Sequence, residues 1–297
     1  MKGYKALNMD MTSTYGDMSY EIGKKYTITG ELEMCENGYH FCKCLEDIEL
    51  YYKIAESRIF EVEADGEIID GGNKSCAESI TLVRELSKEE IRQYFVDSKE
   101  RILKMSLYCR KSLADQGICL DKLVHDDDGR VRAAVAEQGY GLDILIHDED
   151  WRVRAAVARQ GYGLDILVHD EDEHVRVAVA EQGYELEILV HDKDWRVRTA
   201  VAKQGYGLET LIKDEHLYVR EEVAKQGYGL DILVHDDDEH VRAAVAEHGY
   251  RLDVLINDKN WYVRRIVAEQ GYGLDVLIND KNWYVRRTAK QKMEALQ

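Results

Sequence analysis

A 22-residue period runs through the C-terminal two thirds of this chain and constrains its fold more than any single motif. Each period carries a Val-Arg pair, whose valines are Val131, Val153, Val175, Val197, Val219, Val241, Val263 and Val285. Self-similarity at a spacing of roughly 20–50 residues indicates structural units that stack, because one unit alone cannot bury its apolar face. We therefore expect this part of the chain to be a solenoid.

Each repeat contains two helical patterns separated by a turn. Leu142 and Leu145 recur at helical spacing and predict a short helix of about two turns. Asp150 then precedes a second run in which Val153 and Val157 share one face, so Asp150 is expected to cap a longer helix. The pattern predicts an α-solenoid of about eight 22-residue two-helix repeats over residues 109–297.

The N-terminal third of the chain shows a different pattern. Residues 1–86 contain short alternating apolar stretches punctuated by glycines, which predict a small α+β head domain that is mainly β. A capping box at Ser87 and Glu90 opens a helical segment, so we expect a connecting helix over 87–108 between the head and the repeats.

An aspartate precedes each repeat arginine by six residues, as in the pairs Asp126 and Arg132, Asp148 and Arg154, and Asp170 and Arg176. This spacing allows each pair to form within one repeat or between neighbouring repeats. The column resembles the Asp–Arg ladder of HEAT repeats. The string LDILxHDxDWxVRxxVAxxG also resembles the leucine-rich-repeat-variant unit. Both resemblances cover residues 109–297 and imply an α-helical scaffold that binds macromolecules.

The charge of the chain limits the class of its partner. The formal net charge is −18, of which residues 1–110 carry −6, residues 111–250 carry −15 and residues 251–297 carry +3. A general nucleic-acid binder needs a basic surface to displace counterions, so this balance argues against that class. An acidic face steers basic partners or imitates a nucleic-acid backbone, with solubility alone as the alternative. We expect a protein partner, favouring a basic surface or a nucleic-acid-binding protein.

The sequence contains no membrane or secretion signal that we recognise. Apolar runs fall short of the roughly 18 residues that a membrane-spanning helix needs, and the N-terminus lacks a secretory apolar core. We therefore expect a cytoplasmic protein that does not associate with membranes, with its six cysteines as free thiols.

The first residue of the second helix varies in an otherwise uniform repeat, and it is tryptophan at Trp151, Trp195, Trp261 and Trp283. In the last two repeats a tyrosine follows it and an arginine stands four residues later, on the same helix face. These three residue types are the usual anchors of interfaces. We predict a partner-binding patch of Trp261, Tyr262, Arg265, Trp283, Tyr284 and Arg287, with Trp151 and Trp195 as further contacts. The alternative is a surface ridge, or cation–π pairs within the array.

Two patterns offer metal ligands. Histidines recur at His125, His147, His169, His191 and His235, but equivalent atoms of stacked repeats lie about 10 Å apart, whereas zinc ligands lie about 2 Å from the ion. The string from Cys35 to Cys44 lacks a Cys-x2-Cys knuckle and would need Cys76 as a distant ligand. We expect neither a metal nor another cofactor.

The head carries a second resemblance, in the segments Gly38-Tyr-His-Phe41 and Arg58-Ile-Phe-Glu-Val-Glu-Ala-Asp-Gly66. These resemble a stretch of ADP-ribosyltransferase folds, which implies that Lys5 and His40 contact NAD and that Glu85 is catalytic. Two of these three residue types depart from the family pattern. The Gly-aromatic-His-Phe-Cys core also resembles small uncharacterised phage and bacterial domains.

The sequence as a whole predicts a non-enzymatic protein-binding scaffold. The phage-like head implies a phage-encoded inhibitor of a host or defence complex. One alternative is an ADP-ribosyltransferase-like head that the solenoid directs to a target. A second alternative is nucleic-acid binding by the basic C-terminal repeats.

Overall fold

The computed structural model describes residues 1–13, 18–34, 36–96, 102–103 and 105–296. The chain forms two compact units, Met1–Val153 and Arg154–Gln297, and the helix Trp151–Arg159 contains the boundary between them. The first unit combines a β-sheet with helices, and the second unit is helical. The finer division at residues 86 and 108 stays a prediction.

One five-stranded antiparallel sheet lies in the first unit, with the order β1-β4-β5-β2 and with β3 also paired to β5. The strands are β1 Lys2–Leu7, β2 Lys25–Thr27, β3 Tyr39–Phe41, β4 Arg58–Asp70 and β5 Ser75–Glu85. Two register shifts interrupt the long β4–β5 pairing. The sheet confirms the mainly β head that the sequence predicts.

The sheet buries an apolar cluster that includes Leu7, Phe41, Phe60 and Leu82. The sequence pattern does not predict β1, because Lys5 interrupts its apolar alternation. In the structure Lys5 is buried, and its ammonium donates a hydrogen bond to the carbonyl oxygen of His40 at 2.9 Å. This bond offsets part of the cost of burying a charged group.

Two short helical segments lie between β3 and β4 in the chain, and two helices follow β5. They are the one-turn helix Leu45–Ile48, the 3-10 turn Ile54–Glu56, and the helices Lys88–Val96 and Leu107–Asp115. Ser87 and Glu90 form the predicted capping box, with hydrogen bonds of 2.8 and 3.2 Å. The connection is not one helix through residue 108, because Ser106 has extended backbone angles and caps a new helix. The head also contacts the first repeat, since Gln116 donates to Glu49 at 3.0 Å.

The repeats alternate one-turn and longer helices. The short helices are Leu120–Leu123, Leu142–Leu145, Leu164–Leu167, Leu186–Leu189, Leu208–Leu211, Leu230–Leu233, Leu252–Leu255 and Leu274–Leu277. The long helices are Gly129–Glu137, Trp151–Arg159, Glu173–Glu181, Trp195–Lys203, Leu217–Lys225, Glu239–Glu247, Trp261–Glu269 and Trp283–Ala295. Among the described residues no helix has both the length and the apolar character needed to cross a bilayer.

These helices confirm the predicted α-solenoid. Within the second unit each long helix packs against the long helix of the next repeat, and side chains such as Val197 and Val219 are fully buried. The short helix has one turn instead of the predicted two. In the first unit, Asp148 donates its amide to the carbonyl of Leu145, and this turn ends the helix. The last helix continues to Ala295, because Met293 stands where the 22-residue period places a glycine after Gly271.

Capping residues define both ends of the long helices. The side chain of Asp194 accepts the amide of Arg196, as the sequence predicts. An aspartate or an asparagine caps the other long helices from the same position, except at His216, whose side chain forms no cap. Gly205 follows the helix at φ +72°, and Gly207 precedes the next short helix at φ +62°. The first of these left-handed glycines is of the kind that commonly ends a helix, whereas the second left-handed position is not predicted from the sequence.

Replacing Glu185 with glycine is expected to stabilise the protein. Glu185 occupies the position of Gly207 one repeat earlier and is held at φ +48°. A left-handed backbone costs an L-residue roughly 1–2 kcal/mol, and the extra freedom of glycine in the unfolded chain offsets part of the gain. We expect the free energy of unfolding, measured by urea denaturation, to rise by about 0.5–1 kcal/mol. Glu187→Gly, inside the short helix, is the control and should lower the free energy of unfolding. A decrease in both variants would contradict backbone strain at Glu185.

An Asp–Arg ladder joins successive repeats. Arg176 donates from Nε and Nη2 to Asp192 of the next repeat at 2.6 and 3.0 Å, and from Nη1 to the carbonyl of Asp170 at 2.7 Å. Asp192 also accepts the amide of Asp194 at 2.8 Å. The same bidentate pairing links Arg132 to Asp148 in the first unit. The ladder therefore forms between repeats, and a carbonyl contact ties Arg176 to its own repeat.

The ladder predicts a stability loss in acid. Hydrogen bonding from Arg264, opposed by partial burial, holds the pKa of Asp280 below its ordinary value of 3.8. Burial alone would raise the pKa of Asp236, but hydrogen bonding from Arg220 lowers it. A lowered pKa contributes stability that is present above about pH 4 and is lost as the pH falls through the folded-state value. We expect the urea concentration at the unfolding midpoint to decrease when the pH is lowered below about 4. This decrease should be smaller in the Asp280→Asn variant. An equal fall in that variant would contradict the role of Asp280.

Candidate interaction site

The aromatic side chains at the start of the last two long helices form one cluster. Trp261 stacks on Tyr284 of the next repeat, with ring centroids 5.3 Å apart and planes 25° apart. The ring centroid of Trp283 lies 3.8 Å from that of the same tyrosine. The rings of Tyr262 and Trp261 pack edge to face, with centroids 6.2 Å apart. The cluster forms because the first residue of one long helix reaches the second residue of the next.

Two arginines lie against these rings. The guanidinium of Arg265 lies 5.1 Å from the centre of the Tyr262 ring, and its Nε lies 3.4 Å from the carboxylate of Glu269. The guanidinium of Arg287 lies 6.0 Å from the centre of the Trp283 ring. We name the set the aromatic–arginine patch: Trp261, Tyr262, Arg265, Trp283, Tyr284 and Arg287. The structure thus brings together the six residues that the sequence singles out.

The aromatic–arginine patch remains open to solvent. Trp261, Trp283 and Tyr284 keep 37%, 48% and 46% of their surface exposed. Large rings that are held by cations and by each other, yet partly exposed, have the properties of interface anchors. The patch does not share side chains with the ladder, since the buried Arg264 pairs with Asp280.

The other two tryptophans have different surroundings. Trp195 is half-buried and stacks on His216, with centroids 4.3 Å apart and planes 3° apart, and it also contacts Tyr218. Trp151, in the first unit, is half-buried with the guanidinium of Arg152 at 4.7 Å. Neither belongs to the aromatic–arginine patch, and their predicted role in partner binding stays a prediction.

The cysteine string of the head is built into the sheet. Cys42 and Cys76 are buried, and Cys35 lies outside the described residues. Burial, reinforced by the nearby Asp47, raises the pKa of the Cys42 thiol to about 12. Because the thiolate is the form that binds metals, this cysteine is a poor ligand at neutral pH.

The five histidines of the column are exposed, and each stands in a different repeat. Within the described part of the chain, one group of three potential ligands has its donor atoms within 4.8 Å of one another: Asp172, Glu173 and His174. The carboxylate of Asp172 already accepts the amide of His174 as the helix cap. Helix capping therefore accounts for this acidic group.

The structure separates the residues that the ADP-ribosyltransferase resemblance combines. Lys5 on β1 and Glu85 on β5 both pair with Phe60, which lies on the strand between them, β4. Glu85 binds Arg58 through two hydrogen bonds and lines a cavity of 380 Å³. Lys5 and His40 line a different and smaller cavity. The three side chains do not share one cavity.

The surroundings of the smaller cavity lower the pKa values of its basic groups Lys5 and His40. Burial, together with the charge of Lys74, lowers the pKa of Lys5 to about 8. Burial also lowers the pKa of His40 to about 4, with contributions from the two lysines. His40 is therefore neutral at pH 7 and contributes no positive charge to the cavity.

Comparisons with known proteins assign the head to a domain family but give no function for it. Residues 1–93 match a family model described as a domain of unknown function, DUF7666. No curated protein sequence matches the chain. The match to this family covers less than a third of the chain and supports no ADP-ribosyltransferase relationship.

Two solved structures of engineered proteins are similar in part. One is a designed armadillo repeat protein, YIII(Dq.V1)4CPAF, in complex with the peptide (KR)4. It is 16% identical, the match covers 71% of this chain and 95% of that chain, and the TM-score is 0.19. The other is the crystal structure of an engineered protein, 20% identical over 71% of this chain and 93% of that chain, with a TM-score of 0.15. Scores this low support no argument, so the fold rests on the helices described above.

Proposed function

We propose that this protein is a non-enzymatic scaffold that captures a polypeptide partner through the aromatic–arginine patch. The observation that carries the proposal is the cluster of partly exposed rings in the last two repeats, where Trp261 and Trp283 meet on Tyr284. A binding surface of this kind needs no bound cofactor.

The surroundings of the patch favour binding. Its rings stand on helices that are capped at Asn260 and Asn282 and joined by the Arg264–Asp280 pair. Side chains that are already ordered lose little conformational freedom on association, which lowers the free-energy cost of binding. The patch therefore has both contact area and preorganisation.

The class of partner follows from charge. Residues 111–250 carry a formal charge of −15, which favours a partner with a basic surface, a class that includes nucleic-acid-binding proteins. Residues 251–297, which contain the aromatic–arginine patch, carry +3, so we expect the basic surface of the partner to meet the earlier repeats. We further propose that the protein is cytoplasmic. We also propose that it inhibits a host or defence complex, the role that the resemblance of the head implies.

Affinity capture tests the proposal. The immobilised full chain, the Trp261→Ala/Trp283→Ala variant and a Tyr108→Ala control are each exposed to an extract of the cells that make the protein. Tyr108 is 82% exposed and lies outside the aromatic–arginine patch. We expect the wild type and the control to retain the same protein and the double variant to lose it. Equal retention by all three would contradict the role of the patch, and no retention would contradict the scaffold function.

A further inference from the structure

The short helices of the second unit carry two columns of side chains, which are exposed except at the half-buried Val254. Their second residue is acidic in each repeat: Asp165, Glu187, Glu209, Asp231, Asp253 and Asp275. Their third residue is aliphatic in five of these six repeats: Ile166, Ile188, Ile232, Val254 and Val276. We name the two columns together the short-helix stripe. Thr210 is the one interruption of the aliphatic column.

The aliphatic column is exposed, whereas the leucine that follows each of its positions, the last residue of the same short helix, occupies the core. Leu189 is 1% exposed, whereas the neighbouring Ile188 is 45% exposed. Ile166, Ile232 and Val276 keep 50%, 53% and 57% of their surface exposed. Single exposed aliphatic residues are ordinary, but a repeated row of them is typical of an interaction surface.

The acidic column is not neutralised within the chain. Asp253 forms an ion pair with Arg251 at 3.1 Å. The other five carboxylates form no ion pair with a described residue. Stacked helices lie about 10 Å apart, which is close to the Debye length at about 0.1 M salt, so the fields of neighbouring carboxylates overlap. Negative potential therefore borders the aliphatic column from Asp165 to Asp231, and the Arg251–Asp253 pair interrupts it in the next repeat.

We propose that the short-helix stripe binds a basic amphipathic helix. The apolar face of such a helix would cover the aliphatic column, and its lysines or arginines would meet the acidic column. Seven residues of α-helix rise about 10.5 Å, so one heptad of the partner matches one repeat. The inference rests on the scaffold function proposed above, but it assigns a second surface, on helices other than those of the aromatic–arginine patch.

Binding of a synthetic peptide tests the stripe directly. The probe is a 28-residue peptide with leucines at heptad a and d positions and lysines elsewhere, titrated into the full chain in low salt. Two reference peptides replace lysine with glutamate, or leucine with serine. We expect the lysine–leucine peptide to bind at least about tenfold more tightly than either reference peptide, because both columns contribute. Equal binding of the lysine–serine peptide would overturn the apolar contact.

Matched variants separate the stripe from general acidity. Asp165→Asn, Glu187→Gln and Asp231→Asn together remove three charges from the column. Glu171→Gln, Glu215→Gln and Asp237→Asn remove three exposed charges outside it. We expect the first variant to weaken peptide binding about tenfold and the second less than threefold. Equal losses would show attraction by net charge alone and would overturn the proposal.

A gain of affinity provides a test that misfolding cannot imitate. Thr210 is exposed at the position of the missing aliphatic residue. Thr210→Ile should complete the column and tighten binding of the lysine–leucine peptide about threefold, through extra apolar contact. Unchanged or weaker binding would contradict the continuity of the stripe.

Two further measurements distinguish the occupant. Concentration-dependent dimerisation that is lost in Ile166→Ser/Ile188→Ser/Ile232→Ser would show a second copy on the stripe and would overturn the basic helix. Trp261→Ala/Trp283→Ala should leave peptide affinity unchanged, so a failed peptide titration and a failed capture through the aromatic–arginine patch are separate results. Loss of peptide binding in that tryptophan variant would contradict the separation of the two surfaces.

Discussion

Replacing Arg176 with methionine should lower the free energy of unfolding by about 3 kcal/mol, because removing one partner of a buried ion pair leaves the other charge uncompensated. The Arg176 and Asp192 side chains are 6% and 8% exposed. Methionine retains most of the apolar volume of the arginine stem, so the loss reports on the guanidinium and its contacts. Urea denaturation followed by circular dichroism measures the change.

An exposed arginine provides the matched control. Arg196 carries a side chain that is 44% exposed, and its Nη1 lies 3.6 Å from Glu173. Exposed pairs of this kind contribute about 0–1 kcal/mol, so Arg196→Met should change stability by about 0.5 kcal/mol. The double variant Arg176→Met/Asp192→Asn removes both charges and should lose no more than Arg176→Met. Similar losses at Arg176 and Arg196 would contradict the buried ladder.

We expect Trp261→Ala/Trp283→Ala to weaken partner affinity about 100-fold. Removal of an anchoring aromatic side chain costs about 2 kcal/mol or more, and each 1.4 kcal/mol corresponds to a tenfold change in the dissociation constant. The two rings both contact Tyr284, so their contributions are coupled and the effects of the single variants are not expected to add. Isothermal titration of the purified partner measures the affinity.

The controls for this prediction address folding and location. The tryptophans are 37% and 48% exposed and both rings pack on Tyr284, so the variant should keep the circular dichroism of the wild type and lower the urea midpoint only slightly. Tyr108→Ala removes an exposed aromatic ring elsewhere and should leave affinity within threefold. An affinity loss that is accompanied by loss of the helical circular dichroism would contradict a direct contact role for the tryptophans.

Much of the repeat could be predicted because its determinants are local. The aspartate at 194 caps the helix that starts one residue later, and the glycine at 205 supplies the left-handed angle that ends it. Both effects act within a few residues, so the sequence pattern is sufficient to predict them. The same reasoning predicts the long final helix, in which Met293 stands where glycine is expected.

Other features depend on contacts between distant residues. The sequence leaves open whether each Asp–Arg pair forms within or between repeats, and only packing brings Arg176 next to Asp192. Strand β1 escapes prediction because its buried Lys5 finds a carbonyl partner 35 residues away. Nor does the sequence show that Glu85 and Lys5 line different cavities.

The candidate surfaces differ in how visible they are in the sequence. The aromatic–arginine patch departs from the repeat, so variation among repeats points to it. The short-helix stripe consists of uniform positions, and uniformity alone suggests core or caps. The available signal was the pair Asp165 and Ile166 directly before Leu167, because Ile166 is 50% exposed while Leu167, the last residue of the same one-turn helix, is 1% exposed.

Oxidative footprinting of the full chain with and without its captured partner tests the central claim most directly. The claim is that a polypeptide covers the aromatic–arginine patch, so the reactivity of Trp261, Trp283 and Tyr284 should fall in the complex. The exposed Tyr108 serves as an internal reference and should react equally in both samples. Unchanged reactivity of both tryptophans in a complex that is shown to be intact would contradict the account.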